Sequence, residues 1–301
     1  LIVIFLVVLL PPAATLIWLG NGLFERDRIL QTQRDKEALE AAAEAITRSL
    51  AKSVAESEHW SSGGQLPDGA LGLILSSTSM QSQPAGRMLW TPANKLLPES
   101  ATEPFADAEQ NEYRGNTESA LTVYQELARS AVPAVQAGAW LRVARIERNR
   151  HQVENSVDRA LDAYRHLAAI QTVAIIGEPA DLLARRAICG LLFENGRKQE
   201  LFSQAQTLEN DFLAGRWELD RSAWQQASEE IEQWNGHPLP ISEDRKILSA
   251  AADWIWEKWH SGVLPSSDHK SLLVEGAPVT LVWRTETFQN QATQMDAAVI
   301  A

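Results

Sequence analysis

The chain has 301 residues, 45% hydrophobic and 22% charged, with a formal net charge of −12 and a pI near 5.0. That length can bury a substantial core in more than one structural unit, and an acidic surface without basic runs argues against nucleic acid, whose phosphates demand clustered lysine and arginine. The lone Cys189 excludes an intramolecular disulfide; its setting, Ala187-Ile188-Cys189-Gly190-Leu191-Leu192, is an apolar helical face that reads as packing.

Residues 1–24 carry no charged side chain and are long enough to cross a bilayer core of about 30 Å as a helix. A cleaved signal peptide competes, but the apolar run exceeds its short central region. Pro11-Pro12 would kink such a span. Arg26, Arg28, Arg34 and Lys36 hint at a cytoplasmic exit under the positive-inside rule, and composition alone leaves orientation open. Residues 25–60 are charged and alanine-rich, a predicted long helix. On it Leu39, Ala43, Ile46, Leu50 and Val54 approach the spacing of a coiled-coil seam. Such a helix either passes motion to the membrane span or packs on its own domain; both readings stand.

The Gly/Ser-rich stretch Ser61 to Gly69 breaks that helix. Within 61–102, Leu71 to Leu75 and Arg87 to Trp90 predict a small pair of strands, followed by a proline-rich linker. Residues 103–215 then repeat. Ala120-Leu121-Thr122-Val123-Tyr124-Gln125-Glu126-Leu127 recurs as Ala160-Leu161-Asp162-Ala163-Tyr164-Arg165-His166-Leu167, and again as Leu201-Phe202-Ser203-Gln204-Ala205-Gln206-Thr207-Leu208. Apolar residues at offsets zero, one, four and seven mark one helical face, and a turn residue (Gly115, Asn155, Gly196) lies five positions upstream. A period near forty residues signals helical hairpins that stack to bury their stripes. The pattern Gly115, Ala120, Tyr124, Ala128, Pro133 resembles a tetratricopeptide repeat; Asn155, Ala160, Tyr164, Ala168 match it less fully, and the third unit keeps Gly196 and Ala205. The period exceeds the usual ~34, with Asn149 to Ser156 as the predicted insertion. The resemblance implies a scaffold or ligand-binding surface and by itself no chemistry.

Residues 216–262 predict further tryptophan-rich helices. One is capped by Asp220 or Ser222, carries Trp224, Ala227, Ile231 and Trp234, and ends at Asn235-Gly236. The next opens at Ser242 with Glu243 and Asp244 and buries Ile247, Leu248, Ala251, Trp254, Ile255 and Trp259. In 263–301, Ser271 to Trp283 predicts a β-hairpin around Gly276-Ala277, and Thr285 to Ala301 shows no stable periodicity. The predicted fold class is mainly α: an N-terminal transmembrane helix and long helix, a tetratricopeptide-like solenoid, and small β-hairpin elements.

No nucleotide-binding glycine loop, His-Glu-x-x-His or Gly-x-Ser-x-Gly occurs, so no catalytic, cofactor or metal residue is predicted. The histidines are scattered; His260 and His269 with Asp253 are the one grouping able to approach each other. Of eleven tryptophans, most crowd the last third. Trp254, Trp256, Trp259 and Trp283 are therefore the candidate ligand or partner surface, with packing between elements as the weightier reading.

The order of elements, with Leu10-Pro11-Pro12-Ala13-Ala14-Thr15-Leu16-Ile17-Trp18-Leu19-Gly20 in the span, resembles the N-terminal sensor region of bacterial membrane-bound two-component histidine kinases. So do Gln83-Pro84-Ala85-Gly86-Arg87-Met88-Leu89-Trp90, Pro179-Ala180-Asp181-Leu182-Leu183-Ala184-Arg185-Arg186 and Leu213-Ala214-Gly215-Arg216-Trp217. The resemblance implies an inner-membrane anchor, a periplasmic soluble part, and a second span and kinase core after this stretch; within it no phosphoacceptor motif or ATP box occurs. Expected partners are the membrane, through the N-terminal helix, and a protein or a second copy of the chain. The alternative is a membrane-anchored scaffold recruiting proteins in the envelope; an envelope hydrolase is disfavoured by the motif search.

Overall fold

The structure, a computed structural model, describes residues 69–93, 97–150, 153–287 and 293–300, with Lys36, Glu44, Thr47, Arg48, Ala51, Lys52, Ala55 and Leu66. It divides into Leu1–Pro67 and Asp68–Ala301. In the first unit, Lys36, Glu44, Thr47, Arg48, Ala51, Lys52 and Ala55 are helical and exposed. Arg48 sits 3.7 Å from Glu44 one turn back, a pair that adds only tenths of a kcal/mol, ~0.3–0.5. The expected membrane span at 1–24 and the seam Leu39, Ala43, Ile46, Leu50, Val54 lie outside the described residues. Among those described, no helix is long and apolar enough to cross a membrane.

The second unit is mainly α. Its helices are α1 (Ala106–Tyr113), α2 (Thr117–Leu127), α3 (Pro133–Asn149), α4 (Ser156–Ala168), α5 (Ala180–Glu194), α6 (Lys198–Leu213), α7 (Arg221–Asn235) and α8 (Glu243–His260). From α1 to α7 each helix packs on the next in sequence. The turns within the first three pairs hold Gly115 (φ 85), Asn155 (φ 59) and Gly196 (φ 67), so the residues that mark the repeat are those that take the left-handed conformation. Pro133 opens α3 where its missing N–H costs nothing. Asp220 accepts from the Ala223 N–H (2.8 Å) to cap α7, which ends at Gly236 (φ 73).

The repeated stripe is buried at Ala120, Leu121, Tyr124, at Ala160, Leu161, Tyr164, Leu167, and at Leu201, Ala205, Leu208. The third copy departs at its second position, where Phe202 is 59% exposed. Glu147 is buried within the stack and meets both Arg159 (2.9 Å) and Arg150 (3.5 Å), which removes the cost of an unpaired buried carboxylate.

The β-structure is larger than the hairpin elements predicted. Strands β1 (Leu71–Leu75), β2 (Met80–Gln83), β5 (Ser267–Val274), β6 (Ala277–Thr287) and β7 (Thr293–Ile300) form one antiparallel sheet in the order β2-β1-β7-β6-β5. β3 (Ala174–Ile175) and β4 (Glu178–Pro179) form a separate short hairpin. The partner of β1 is Met80–Gln83 rather than Arg87 to Trp90, whose side chains are committed elsewhere: Arg87 to the Gly69 carbonyl (2.8 Å), Trp90 to Asp253. The β5–β6 turn is Glu275-Gly276, one residue earlier than predicted, with φ of 50 and 84 as a two-residue hairpin requires. The tail read as aperiodic supplies β7, which sits between β1 and β6 and joins segments more than 190 residues apart. On one face Leu71, Leu73, Leu75, Leu281, Met295, Ala297 and Val299 are buried, and α8 leaves the helical stack to pack against β1, β5 and β7.

Leu167 is fully buried on α4, which packs on both α3 and α5. Leu167→Ala is expected to cost about 2–5 kcal/mol of unfolding free energy, measured by urea denaturation. A loss below about 1 kcal/mol would show that the stripe is not a packed seam.

Candidate functional site

Two loops from distant parts of the chain meet beside α8: the segment after β2, residues 84–91, and the loop after α6, residues 214–220. They touch directly where the Thr91 N–H donates to the Leu219 carbonyl (2.8 Å). Three polar residues of α8, spaced four apart and therefore on one helical face, hold them in place. Arg245 donates to the carbonyls of Gly86 (3.2 Å), Met88 (3.3 Å) and Leu213 (3.3 Å). The hydroxyl of Ser249, fully buried, accepts from the Leu89 N–H (2.7 Å) and donates to the Arg245 carbonyl (2.9 Å). Asp253 accepts from the Trp90 indole (2.7 Å).

The Trp90 ring continues into an aromatic ladder with Trp224 (centroids 5.4 Å) and Phe212 (5.5 Å from Trp224). Arg221 lies 5.2 Å above Trp90 and pairs with Glu275 (2.7 Å). On the other side of the loop, the Trp217 indole donates to Asp181 on the first turn of α5 (3.0 Å). Arg216 pairs with Asp181 (3.3 Å) and Asp211 (2.8 Å), and Arg185 with Asp211 (3.4 Å).

Between these anchors lie two clefts with a shared wall of Trp217 and Glu218. The larger, about 330 Å³, is lined chiefly by Met80, Met88, Leu89, Trp90, Trp217 and Leu219. The smaller, about 240 Å³, places Gln171, Asp181 and Arg216 beside Leu97 and Pro179. The larger cleft falls at the lower end of the usual range for small-molecule sites, ~300–1,000 Å³, and shares their mostly apolar lining.

Burial sets the ionisation of the anchors. The Asp253 carboxyl is pushed above the usual range by burial, opposed by the Trp90 hydrogen bond and by Arg221, and pushed further by Asp220. Burial holds the Arg245 guanidinium below its usual range. Cys189 is buried and its thiol is pushed up to about 12 by burial, so it is neutral at physiological pH.

The candidate tryptophans lie elsewhere. Trp283 is buried on β6 with its indole donating to the Pro265 carbonyl (3.1 Å), and Lys270 on β5 sits 5.3 Å above the Trp254 ring. Trp256 and Trp259 are half-buried and meet each other edge-on (6.0 Å), with His260 against both rings. All four pack α8 and the sheet, and none lines either cleft. Nor do His260, His269 and Asp253 combine: His260 contacts the carbonyls of Trp256 (3.0 Å) and Ser77 (3.1 Å), His269 lies beside Asp268, and Asp253 is bound to Trp90. Among the described residues no group of three His, Cys, Asp or Glu could hold a metal ion. Part of the lining comes from the stretches 83–90, 179–186 and 213–217 singled out in the sequence, whereas residues 80–82, Thr91, Leu97, Gln171, Glu218 and Leu219 lie outside them.

Because Asp253 is harder to ionise folded than unfolded, its favourable contribution is complete below about pH 4 and is lost as pH rises through the folded pKa. Asp253→Asn keeps an acceptor for the Trp90 indole without the charge. Its stability relative to the parent protein should therefore increase from about pH 3 to about pH 7 in paired thermal melts. A difference independent of pH would contradict the burial of a charged Asp253.

No family model, curated protein or solved structure matches the chain.

Proposed function

We propose that the chain is a non-catalytic sensory input region, in which a tetratricopeptide-like solenoid of helical hairpins binds a ligand at the Trp217 clefts and alters the packing of the membrane-proximal segment. In this reading residues 1–24 anchor it in a bacterial inner membrane, the soluble part is periplasmic, and the output is a histidine kinase core. The observation that carries the proposal is the position of the larger cleft. Its walls belong to the sheet-borne segment 80–91 and to the loop leaving the third helical hairpin, so an occupant touches both parts of the fold. A ligand shifts an equilibrium only if it binds two packings unequally, and a site walled by two packed elements is a place where affinity can depend on how they pack.

A membrane-anchored scaffold is the second reading, and Ile176 favours it. This β-branched residue forms the tip of the β3–β4 hairpin at φ 53, is 94% exposed, and is held there by Glu99, which accepts from the N–H groups of Ile176 (3.0 Å) and Gly177 (2.8 Å). An apolar side chain presented at a cost of about 1–3 kcal/mol of backbone strain suits a docking knob.

The two readings separate on the full-length gene product. The sensor reading expects a second apolar span and ATP-binding kinase boxes after Ala301. In that protein, reconstituted in vesicles, Trp217→Ala should change basal autophosphorylation at least about threefold while leaving far-UV circular dichroism intact. A gene product without a kinase core would remove the sensor reading and leave the scaffold.

A further inference from the structure

The larger cleft carries a charge pattern that narrows what it can hold. Among its lining residues Glu218 is the one ionisable side chain; the rest are apolar, small or neutral polar groups. Among the described residues no cation pairs with Glu218, and every nearby arginine is engaged. Arg216 is shared between Asp181 and Asp211, Arg185 is on Asp211, and Arg221 is on Glu275. Arg87 is turned to the carbonyls of Gly69 and Ala70. Arg245 lies behind the wall, its two terminal nitrogens donating to three backbone carbonyls and its buried Nε without a partner, and is not part of the lining. Around the shared wall, Asp181, Asp211 and Glu218 face only Arg185 and Arg216, leaving one net negative charge.

The neutral part of the lining points the same way. Trp90 and Trp217 each already carry a guanidinium over the ring, Arg221 at 5.2 Å and Arg216 at 5.4 Å, so they supply apolar area here; with the polarisable thioethers of Met80 and Met88 they favour the apolar body of a ligand whose positive head lies at Glu218. A free carboxylate or phosphate would meet no cationic side chain in this lining, only neutral donors such as the Gln81 amide and the Ser82 hydroxyl. The chain's net charge of −12 further enriches small cations near its surface.

Resting on the reading of this cleft as a ligand site, we propose that it binds an organic monocation: a primary or quaternary amine carrying an apolar body of about one ring, with the ammonium at Glu218 and the body between the methionines and Trp90. Glu218 is exposed, so the ion pair stays wet. Its contribution is a preference of about fivefold rather than the whole affinity.

The test uses the full chain in detergent at neutral pH and follows intrinsic tryptophan fluorescence, checked by calorimetry, with three probes of matched size: 2-phenylethylamine, 2-phenylethanol and 3-phenylpropionate. The amine is expected to bind most tightly and the carboxylate least. Glu218→Gln should lower amine affinity about fivefold and leave the alcohol unchanged. If no probe binds the parent protein, the cleft is not a ligand site and the underlying reading falls with the inference. If the alcohol or carboxylate binds as well as the amine, or Glu218→Gln leaves the preference intact, only the charge assignment is overturned.

Discussion

Arg245, Ser249 and Asp253 bind one face of α8 to two loops that are otherwise joined by little. Each contact satisfies a polar group in partly or fully buried surroundings, where an orphaned donor or acceptor costs more, ~1–3 kcal/mol, than the bond itself contributes net. The set is therefore stringent: displacing the segment 84–91 would take the Trp90 indole from Asp253, leave the Leu89 N–H without Ser249, and leave Arg245 with the Leu213 carbonyl alone. That is why a segment without regular secondary structure can still form a defined wall. The same helix covers one face of the sheet, so its position is fixed from both sides.

The helical hairpins were legible in the sequence because their signals are local. A 3.6-residue period needs only a dozen positions to declare itself, and Gly115, Asn155 and Gly196 each mark a turn that only a few residue types tolerate. The failure at Phe202 has a local cause too. The third hairpin packs on α7 rather than on a further copy of itself, so the stripe position filled by Leu121 and Leu161 has no matching surface there.

The sheet was only half legible. β1 and the β5–β6 hairpin carry alternation and turn residues of their own, whereas β7 offers Asp296-Ala297-Ala298, in which small side chains blur the period of two. What makes it a strand is pairing with Leu71–Leu75 on one side and Thr280 to Thr287 on the other, a constraint no window of sequence contains. The site was hidden for a related reason. Eleven tryptophans advertise aromatic chemistry, but Trp254, Trp259 and Trp283 serve packing, whereas Trp90 and Trp217 flank the cleft. The informative signal was polar: Arg245, Ser249 and Asp253 recur every fourth residue along a helix whose other inward positions are Leu248, Ala251, Ala252 and Ile255. Polar groups on a buried face need partners, and asking for those partners leads to the segment that walls the site.

The geometry also gives the proposed signal a short route. Arg87 lies in the wall segment, and its guanidinium donates to the carbonyls of Gly69 (2.8 Å) and Ala70 (3.4 Å), the residues that enter β1. A ligand that tightens the wall against Trp217 pulls on the same stretch of backbone that holds this entry point, through contacts between neighbours and without a path across the core. β1 is in turn fixed by β7, buried on both sides of the pairing, so the entry is the softer end of that strand. Within this unit the wall segment and the entry to β1 are therefore joined through one side chain, Arg87, rather than through the sheet.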